Sequence, residues 1–306
     1  MTVSSIYHAG ELLAQQRTGE EMQAEHNAGV ISDRIIPGAI PFIAQQSMVV
    51  LGTVDADQNV WASVLFGRPG FMSAADDRTV DFEVSRAGYA EHDPLWTNIA
   101  GDPRVGMLAI EFATRRRLRI NGNLSRVSDD KLRLDVREAY ANCPKYIQRR
   151  HFTRLSGDPG QRVAPRSGDV LSTSQRASIG AADTFFVASA HSEGGGDVSH
   201  RGGNSGFVEI LDDRTLRIPD YAGNSMFNTL GNFVTNPRAG LLFIDFEANR
   251  TLQLLGTPEI RWELDEPHDH TGGTRRYWDF TVEHWLEREL TDRVEWELLD
   301  YSPFNP

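Results

Sequence analysis

The chain contains one of its own segments twice, and few features constrain a fold more. From Met48 the sequence reads MVVLGTVD, WASVLFGRPGFM and DDRTVDFEV, then TNIAGDPRVGMLAIEFATRRRLRINGNLSRV. From Thr184 it reads TFFVASAH, DVSHRGGNSGFV and DDRTLRIPDY, then LGNFVTNPRAGLLFIDFEANRTLQLLGTPEI. Gly70 and Gly206 are 136 positions apart, as are Asp76 and Asp212; Pro103 and Pro237 are 134 apart, as are Gly122 and Gly256. An ordered series of matches with one two-residue slip requires both segments to fold alike. The 306 residues therefore divide into two similar domains, 1–127 and 176–306, with a connecting segment at 128–175.

Each copy reads as β-rich. Met48–Val54 and Phe185–Ala190 are short apolar runs, and Gly106–Phe112 and Gly240–Phe246 are apolar with β-branched or aromatic residues. Leu118–Leu124 and Thr251–Leu255 alternate in part, as half-buried strands do. The Asp-Asp-Arg-Thr of both copies reads as a hairpin turn. Asp-Pro-Arg in one copy and Asn-Pro-Arg in the other end a short helix before the fourth strand. Five or six antiparallel strands with one short helix make a small barrel, so the fold class is mainly β, two tandem antiparallel barrels. Spacing predicts helices over Lys131–Tyr140 and Lys145–Leu155 in the connecting segment, a Gly- and Pro-rich exposed connector over Ser156–Asp169, and a leading helix over Ile6–Gln16. Asp279–Leu290 and Val294–Leu299 fit helix and strand equally.

Composition narrows the function. Thirty-one basic against 43 acidic side chains give a formal charge of -12, which repels phosphate backbones and argues against nucleic acid as a partner. No run approaches the roughly 18 apolar residues of a membrane helix, and Met1–Gly10 lacks the pattern of a signal peptide; the expected location is cytoplasmic. Cys143 is the only cysteine, so no intramolecular disulfide and no all-thiolate metal site can form. His268-Asp-His270 reads as a solvated acidic loop, no metal is expected, and Gly194-Gly-Gly196 lacks a surrounding dinucleotide fingerprint. Only Lys131 and Lys145 of the basic residues are lysines.

The second copy carries Asp197-Val-Ser-His-Arg-Gly-Gly-Asn-Ser-Gly-Phe-Val, then Pro219-Asp-Tyr-Ala-Gly-Asn and Asn236-Pro-Arg-Ala-Gly-Leu-Leu-Phe. This pattern resembles the pyridoxamine 5'-phosphate oxidase-like family of flavin-binding split barrels. Asn142-Cys-Pro-Lys-Tyr-Ile-Gln-Arg-Arg and the closing Tyr301-Ser-Pro-Phe-Asn-Pro resemble segments of its tandem members. The resemblance implies six-stranded split barrels, FMN at a barrel–barrel interface, and redox chemistry. It places the FMN phosphate on Tyr221, Asn224, Ser225, Asn228 and Thr229, where backbone N–H groups at a helix start and short polar side chains make an anion site. Many relatives have Arg or Lys in this helix, whereas this chain has no basic residue between Arg217 and Arg238, leaving Arg201 to compensate the charge. Ser199, Arg201, Asn204, Gly206 and Phe207 form a glycine-rich stretch suited to the edge of a flat ring, with His200 beside it as a candidate proton donor.

The first copy reads as a degenerate site. Pro94 and Leu95 stand where Asn228 and Thr229 stand, with Asp93 nearby, and a carboxylate repels phosphate. One FMN per chain is expected, on the C-terminal barrel. The family draws residues from a neighbouring barrel, here either the first repeat or a second subunit of a homodimer. Arg117 and Arg119, on one face of a strand by alternation, are the candidates, a cation near the flavin favouring its reduced anion. Lys145 and Tyr146, read as a helix start, complete the set. Three functions follow: an FMN-dependent oxidoreductase acting on a small-molecule substrate with NAD(P)H or a reductase as electron donor, a non-catalytic flavin carrier serving a reductase, or a haem-binding split barrel. A vitamin B6 substrate is disfavoured, because no Arg-rich C-terminal pattern is present.

Overall fold

The computed structural model describes residues 5–84, 93–157, 164–191, 195–265, 269–290 and 292–306. Helices α1 (Ala9–Thr18) and α2 (Glu21–Ala28) lead in, followed by α3 (Ile40–Ala44). The first barrel comprises β1 (Met48–Val54), β2 (Val60–Phe66), β3 (Met72–Ser73), β4 (Thr79–Glu83), α4 (Pro94–Gly101), β5 (Arg104–Glu111), β6 (Arg116–Ser128) and β7 (Lys131–Ala141). After β8 (Arg149–Gly157), β9 (Arg166–Gly168) and α5 (Thr173–Ala181) comes the second barrel. It holds β10 (Thr184–His191), β11 (Gly195–Gly202), β12 (Glu209–Ile210), β13 (Thr215–Pro219), α6 (Asn228–Thr235), β14 (Ala239–Asp245), β15 (Arg250–Arg261) and β16 (Tyr277–Glu289). The final strand, β17 (Asp292–Asp300), pairs with β8 in a two-stranded ribbon.

The repeat in the sequence is a repeat in topology. Strand order is β2-β1-β5-β6-β7-β4-β3 in one sheet and β11-β10-β14-β15-β16-β13-β12 in the other. Both are the same permutation, antiparallel throughout. Side-chain detail repeats too: Asn98 Nδ2 donates to Thr53 Oγ1 at 3.0 Å, and the equivalent Asn232 Nδ2 donates to Ser189 Oγ at 2.9 Å. Each barrel fills its interior with its own apolar set, Val49, Leu51, Met107 and Ile120 in one and Phe185, Val187, Leu241 and Leu254 in the other.

A third apolar cluster lies between the barrels. Val50, Val60, Ala62 and Leu108 of the first meet Phe186, Ala188, Val198 and Leu242 of the second. These strands are buried on both faces, which explains why β1, β10 and their neighbours read as continuous apolar runs rather than alternating ones. Two equivalent glycines bring the backbones together. A Cβ on Gly106 would lie 2.5 Å from Asp197 Cα, and one on Gly240 would lie 2.3 Å from the Val60 carbonyl oxygen. The neighbouring barrel is thus the other half of the same chain.

The connecting segment differs from its sequence reading. Lys131–Ala141 and Arg149–Gly157 are strands, not helices, and β7 completes the first sheet between β6 and β4. The first barrel therefore runs past 127 to Ala141. Leu132, Leu134 and Val136 alternate with exposed or half-buried residues, a period of two that charged residues between them disguised as helical spacing. For β8, pairing with β17 from the far end of the chain overrides local preference. Part of the predicted connector forms β9 against β16, residues 158–163 lie outside the described residues, and both ambiguous C-terminal segments are strands.

Gly106→Ala should destabilise the protein by about 1–3 kcal/mol through overpacking. Gly29→Ala, where a Cβ meets nothing within 4 Å, should stay within about 0.5 kcal/mol of wild type. Urea denaturation of the two variants separates the cases; equal midpoints would contradict the close backbone approach.

Candidate functional site

The cavity of interest opens where β6 of the first barrel faces β11, the loop after β13 and the start of α6. Arg117, Arg119, Lys145, Tyr146, Ser199, His200, Arg201, Phe207, Tyr221, Asn224, Ser225, Asn228 and Thr229 all line it, so the structure brings thirteen of the sequence candidates together. Its volume is about 110 Å³, room for only part of a nucleotide. Asn204 and Gly206 lie elsewhere. Asn204 donates to the Pro306 carbonyl at 3.0 Å and accepts from Asn305, so the C-terminal tail occupies its amide. Phe207 turns its ring onto Phe185, 5.8 Å between centroids.

The two first-barrel arginines reach the cavity on one face of β6, as alternation predicts, but their guanidinium groups are engaged. Arg119 is 3% exposed; it donates to the Val198 carbonyl and to Asn228 Oδ1, and lies 2.9 Å from Asp197. Burial works against its charge, but Asp197 and Tyr140 outweigh it and its pKa is raised. Arg117 donates to the Cys143 and Lys145 carbonyls and to His200 Nδ1 at 3.3 Å. Both tie the barrels together rather than presenting a free cation. Tyr146 sits in a left-handed turn (φ 64°) before β8 rather than in a helix, and its ring tilts onto Tyr221 at 4.9 Å. The Lys145 ammonium lies 5.7 Å from the Phe304 ring centre. Cys143 is half-buried and lines the cavity.

His200 is a different group from the proton donor suggested by sequence. It is buried against Phe112 and Phe186, and burial, then the Arg117, Arg201 and Arg150 charges, push its pKa well below the ordinary value. It is neutral. Arginine can only donate, so Nδ1 accepts and the proton sits on Nε2, which has no partner among the described residues. Arg201 Nε is likewise unpartnered, its NH2 standing 3.7 Å from Asp220.

The start of α6 distinguishes the two barrels. Phe227, at its N-cap in a left-handed conformation, provides no side-chain cap, so the first N–H groups of the helix have no partner within it. At the equivalent end of α4, the Asp93 carboxylate accepts from Leu95 N at 2.9 Å and from Ser63 Oγ at 2.7 Å, and pairs with Arg288. A side-chain anion closes the first-barrel position; the second remains without one at its cap.

Residues far away in sequence build the rim of the cavity. Glu11 accepts from Asn228 Nδ2 at 2.6 Å, Glu20 accepts from Ser225 Oγ at 2.6 Å and from Arg276 at 3.1 Å, and Asn27 and Gln15 donate to the Asn224 and Met226 carbonyls. Helix α1 crosses α6 at two glycines: a Cβ on Gly10 would lie 2.1 Å from the Gly231 carbonyl oxygen, and one on Gly231 would meet Glu11 at 2.6 Å. Sequence reading missed Glu11, Glu20 and Arg276, because no local motif marks them. Burial pushes Glu11 up to about 7, against the hydrogen bonds from His8 and Asn228. Among the described residues no group of His, Cys, Asp or Glu forms a metal site; His268 and Gly194 lie outside them.

Residues 39–161 match the family model described as pyridoxamine 5'-phosphate oxidase. That stretch, 123 of the 306 residues, is thus similar to the pyridoxamine 5'-phosphate oxidase-like split-barrel family. The matched residues cover the first barrel, whose helix start is closed by Asp93. Solved structures to which part of this chain is similar include HupZ of Group A Streptococcus (18% identity, 37% of this chain and 90% of that one, TM-score 0.31). A putative pyridoxamine 5'-phosphate oxidase of Lactobacillus delbrueckii aligns at 16% identity over 36% of this chain and 95% of its own, TM-score 0.28. An FAD-binding protein of Mesorhizobium loti aligns at 13% over 41% and 98%, TM-score 0.29. No curated protein matches the chain. No helix among the described residues is long and apolar enough to cross a membrane.

Glu11 sets a pH dependence. Between its ordinary 4.5 and about 7 the native state keeps a proton that the unfolded chain has released, so stability falls as pH rises through that window, by on the order of 2–3 kcal/mol. Glu11→Gln preserves the acceptor for Asn228 and should flatten the decline. Thermal unfolding from pH 5 to 8 tests this; an unchanged slope in the variant would assign the effect elsewhere.

Proposed function

We propose that this split-barrel protein is an FMN-dependent oxidoreductase with one flavin site per chain, built on the second barrel. The observation that carries the reading is the contrast between the two helix starts: α4 is capped by the Asp93 carboxylate, whereas the uncapped α6 stands in a cavity with Arg201, whose Nε has no partner among the described residues. The donor set fits a phosphate. Unpaired N–H groups at a helix start and a guanidinium are what such an anion needs, and Lys145 adds charge at the same cavity. Asn228 and Thr229 are already bonded to Glu11 and Ser199, so they orient the phosphate loop. The neutral Nε2–H of His200 suits a hydrogen bond to a ring acceptor rather than proton delivery.

A bound flavin would supply the two-electron chemistry. The protein's part is to bind and orient it, with Arg117 and Arg119 fixing the far wall. Glu11 opposes a nearby dianion, so binding should favour its protonated form. The electron donor, NAD(P)H or a reductase, and a small-molecule substrate complete the proposal, in a cytoplasmic setting.

Arg201→Met should weaken FMN binding by about 10- to 100-fold, the equivalent of a charge-assisted hydrogen bond, measured by quenching of flavin fluorescence. Glu11→Gln should strengthen it at pH 8. Wild-type protein that takes up no added FMN would refute the reading. Bound flavin that neither NADH nor NADPH reduces would make the protein a carrier rather than an oxidoreductase using these donors.

A further inference from the structure

A second cleft, of about 410 Å³, lies between α5, the β14–β15 turn and β17. The first repeat shows how such a space is normally filled. Ile43 and Ile179 are equivalent, both fully buried before the first strand of their barrels, and one position earlier Phe42 corresponds to Ser178. Phe42 is buried, and the Arg116 guanidinium lies over its ring at 4.7 Å. Arg250, the equivalent of Arg116, instead pairs with Asp245 and Glu287, and Ser178 leaves the ring's place empty.

The cleft is lined by polar groups that lack partners. Arg150 is 7% exposed, gives its NH2 to both Asp183 oxygens at 2.7 Å, and lies over the Phe246 ring at 4.3 Å. Among the described residues its NH1 has no partner, nor have the hydroxyls of Thr184 and Thr251, both almost fully buried. Each such group costs about 1–3 kcal/mol if left unsatisfied. Phe246 and Trp296, edge to face at 5.4 Å, supply aromatic walls. Charge decides the rest. Asp183 balances Arg150, Arg250 and Arg166 balance Asp245 and Glu287, and Glu247 adds one further negative charge at the cleft. An anion is repelled, and a cation would have to face Arg150.

We propose that this cleft is a ligand site for an uncharged planar ring bearing a carbonyl acceptor, the ring taking the place of the missing phenylalanine and the carbonyl meeting Arg150 and the threonine hydroxyls. The site is separate from the flavin cavity and does not depend on it.

Coumarin, uncharged and planar with one carbonyl, is a suitable probe, with nicotinamide as a smaller second. Isothermal titration of the full chain should show one saturable coumarin site. Ser178→Phe, which restores the side chain of the first repeat at an exposed position, should weaken it at least tenfold. Thr251→Val, nearly isosteric, should weaken it severalfold and covers the case in which Ser178→Phe misfolds. Binding should persist unchanged in Arg201→Met and in the presence of FMN. Failure of both probes to bind at millimolar concentration, full affinity in both cleft variants, or displacement by FMN would each overturn the proposal.

Discussion

The two barrels meet backbone to backbone, and everything else in the molecule is arranged around that approach. Gly106 against Asp197 and Gly240 against Val60 let strands of opposite barrels come closer than any side chain allows. The apolar faces of β1, β2, β10 and β11 then share one core, and Arg119 of one barrel can bond the Val198 carbonyl of the other. The candidate cavity is a by-product of this closeness, because one wall comes from each barrel. A pair of barrels held apart by ordinary side chains would have two cores and no such cavity.

Within this near-symmetric frame the copies have diverged at a few positions. Arg119 bonds Val198 and Ser199 where the equivalent Gln253 bonds Ala62 and Ser63. Asp93 caps one helix and Phe227 leaves the other uncapped. Phe42 fills one gap and Ser178 vacates the other. At the helix start and at the gap the first copy supplies a side chain that the second lacks, whereas the buried charge, Arg119, belongs to the first copy and bonds across to the second. A duplicated fold permits this division, since one copy can supply rigidity while the other tolerates unpaired groups.

Topology was legible from the start because a repeat read twice is stronger than any single strand pattern. Arg117, Arg119, Asn228 and Thr229 were placed at the cavity by position within the repeat and by resemblance. Local pattern failed where distant chain decides the outcome. Lys131–Ala141 and Arg149–Gly157 owe their strand form to partners in β6, β4 and β17. Asn204 looks like part of a free loop until the last residues of the chain bond its amide. The bonds that occupy Arg117 and Arg119 come largely from Cys143 and Val198, whose carbonyls carry no sequence signature.

The helices before the first barrel belong, by contact, to the second. Glu11, Gln15, Glu20 and Asn27 hold the loop 224–228 in place, and Arg276 locks the same loop from the other side. The rim therefore joins residues about 265 positions apart. During synthesis Tyr7 and Ala24 can meet Tyr140 early, but Glu20 waits for Arg276 before its contacts are complete. The cavity cannot be completed before Arg276 has emerged, and a nascent chain holding only a finished first barrel has no site to offer a ligand.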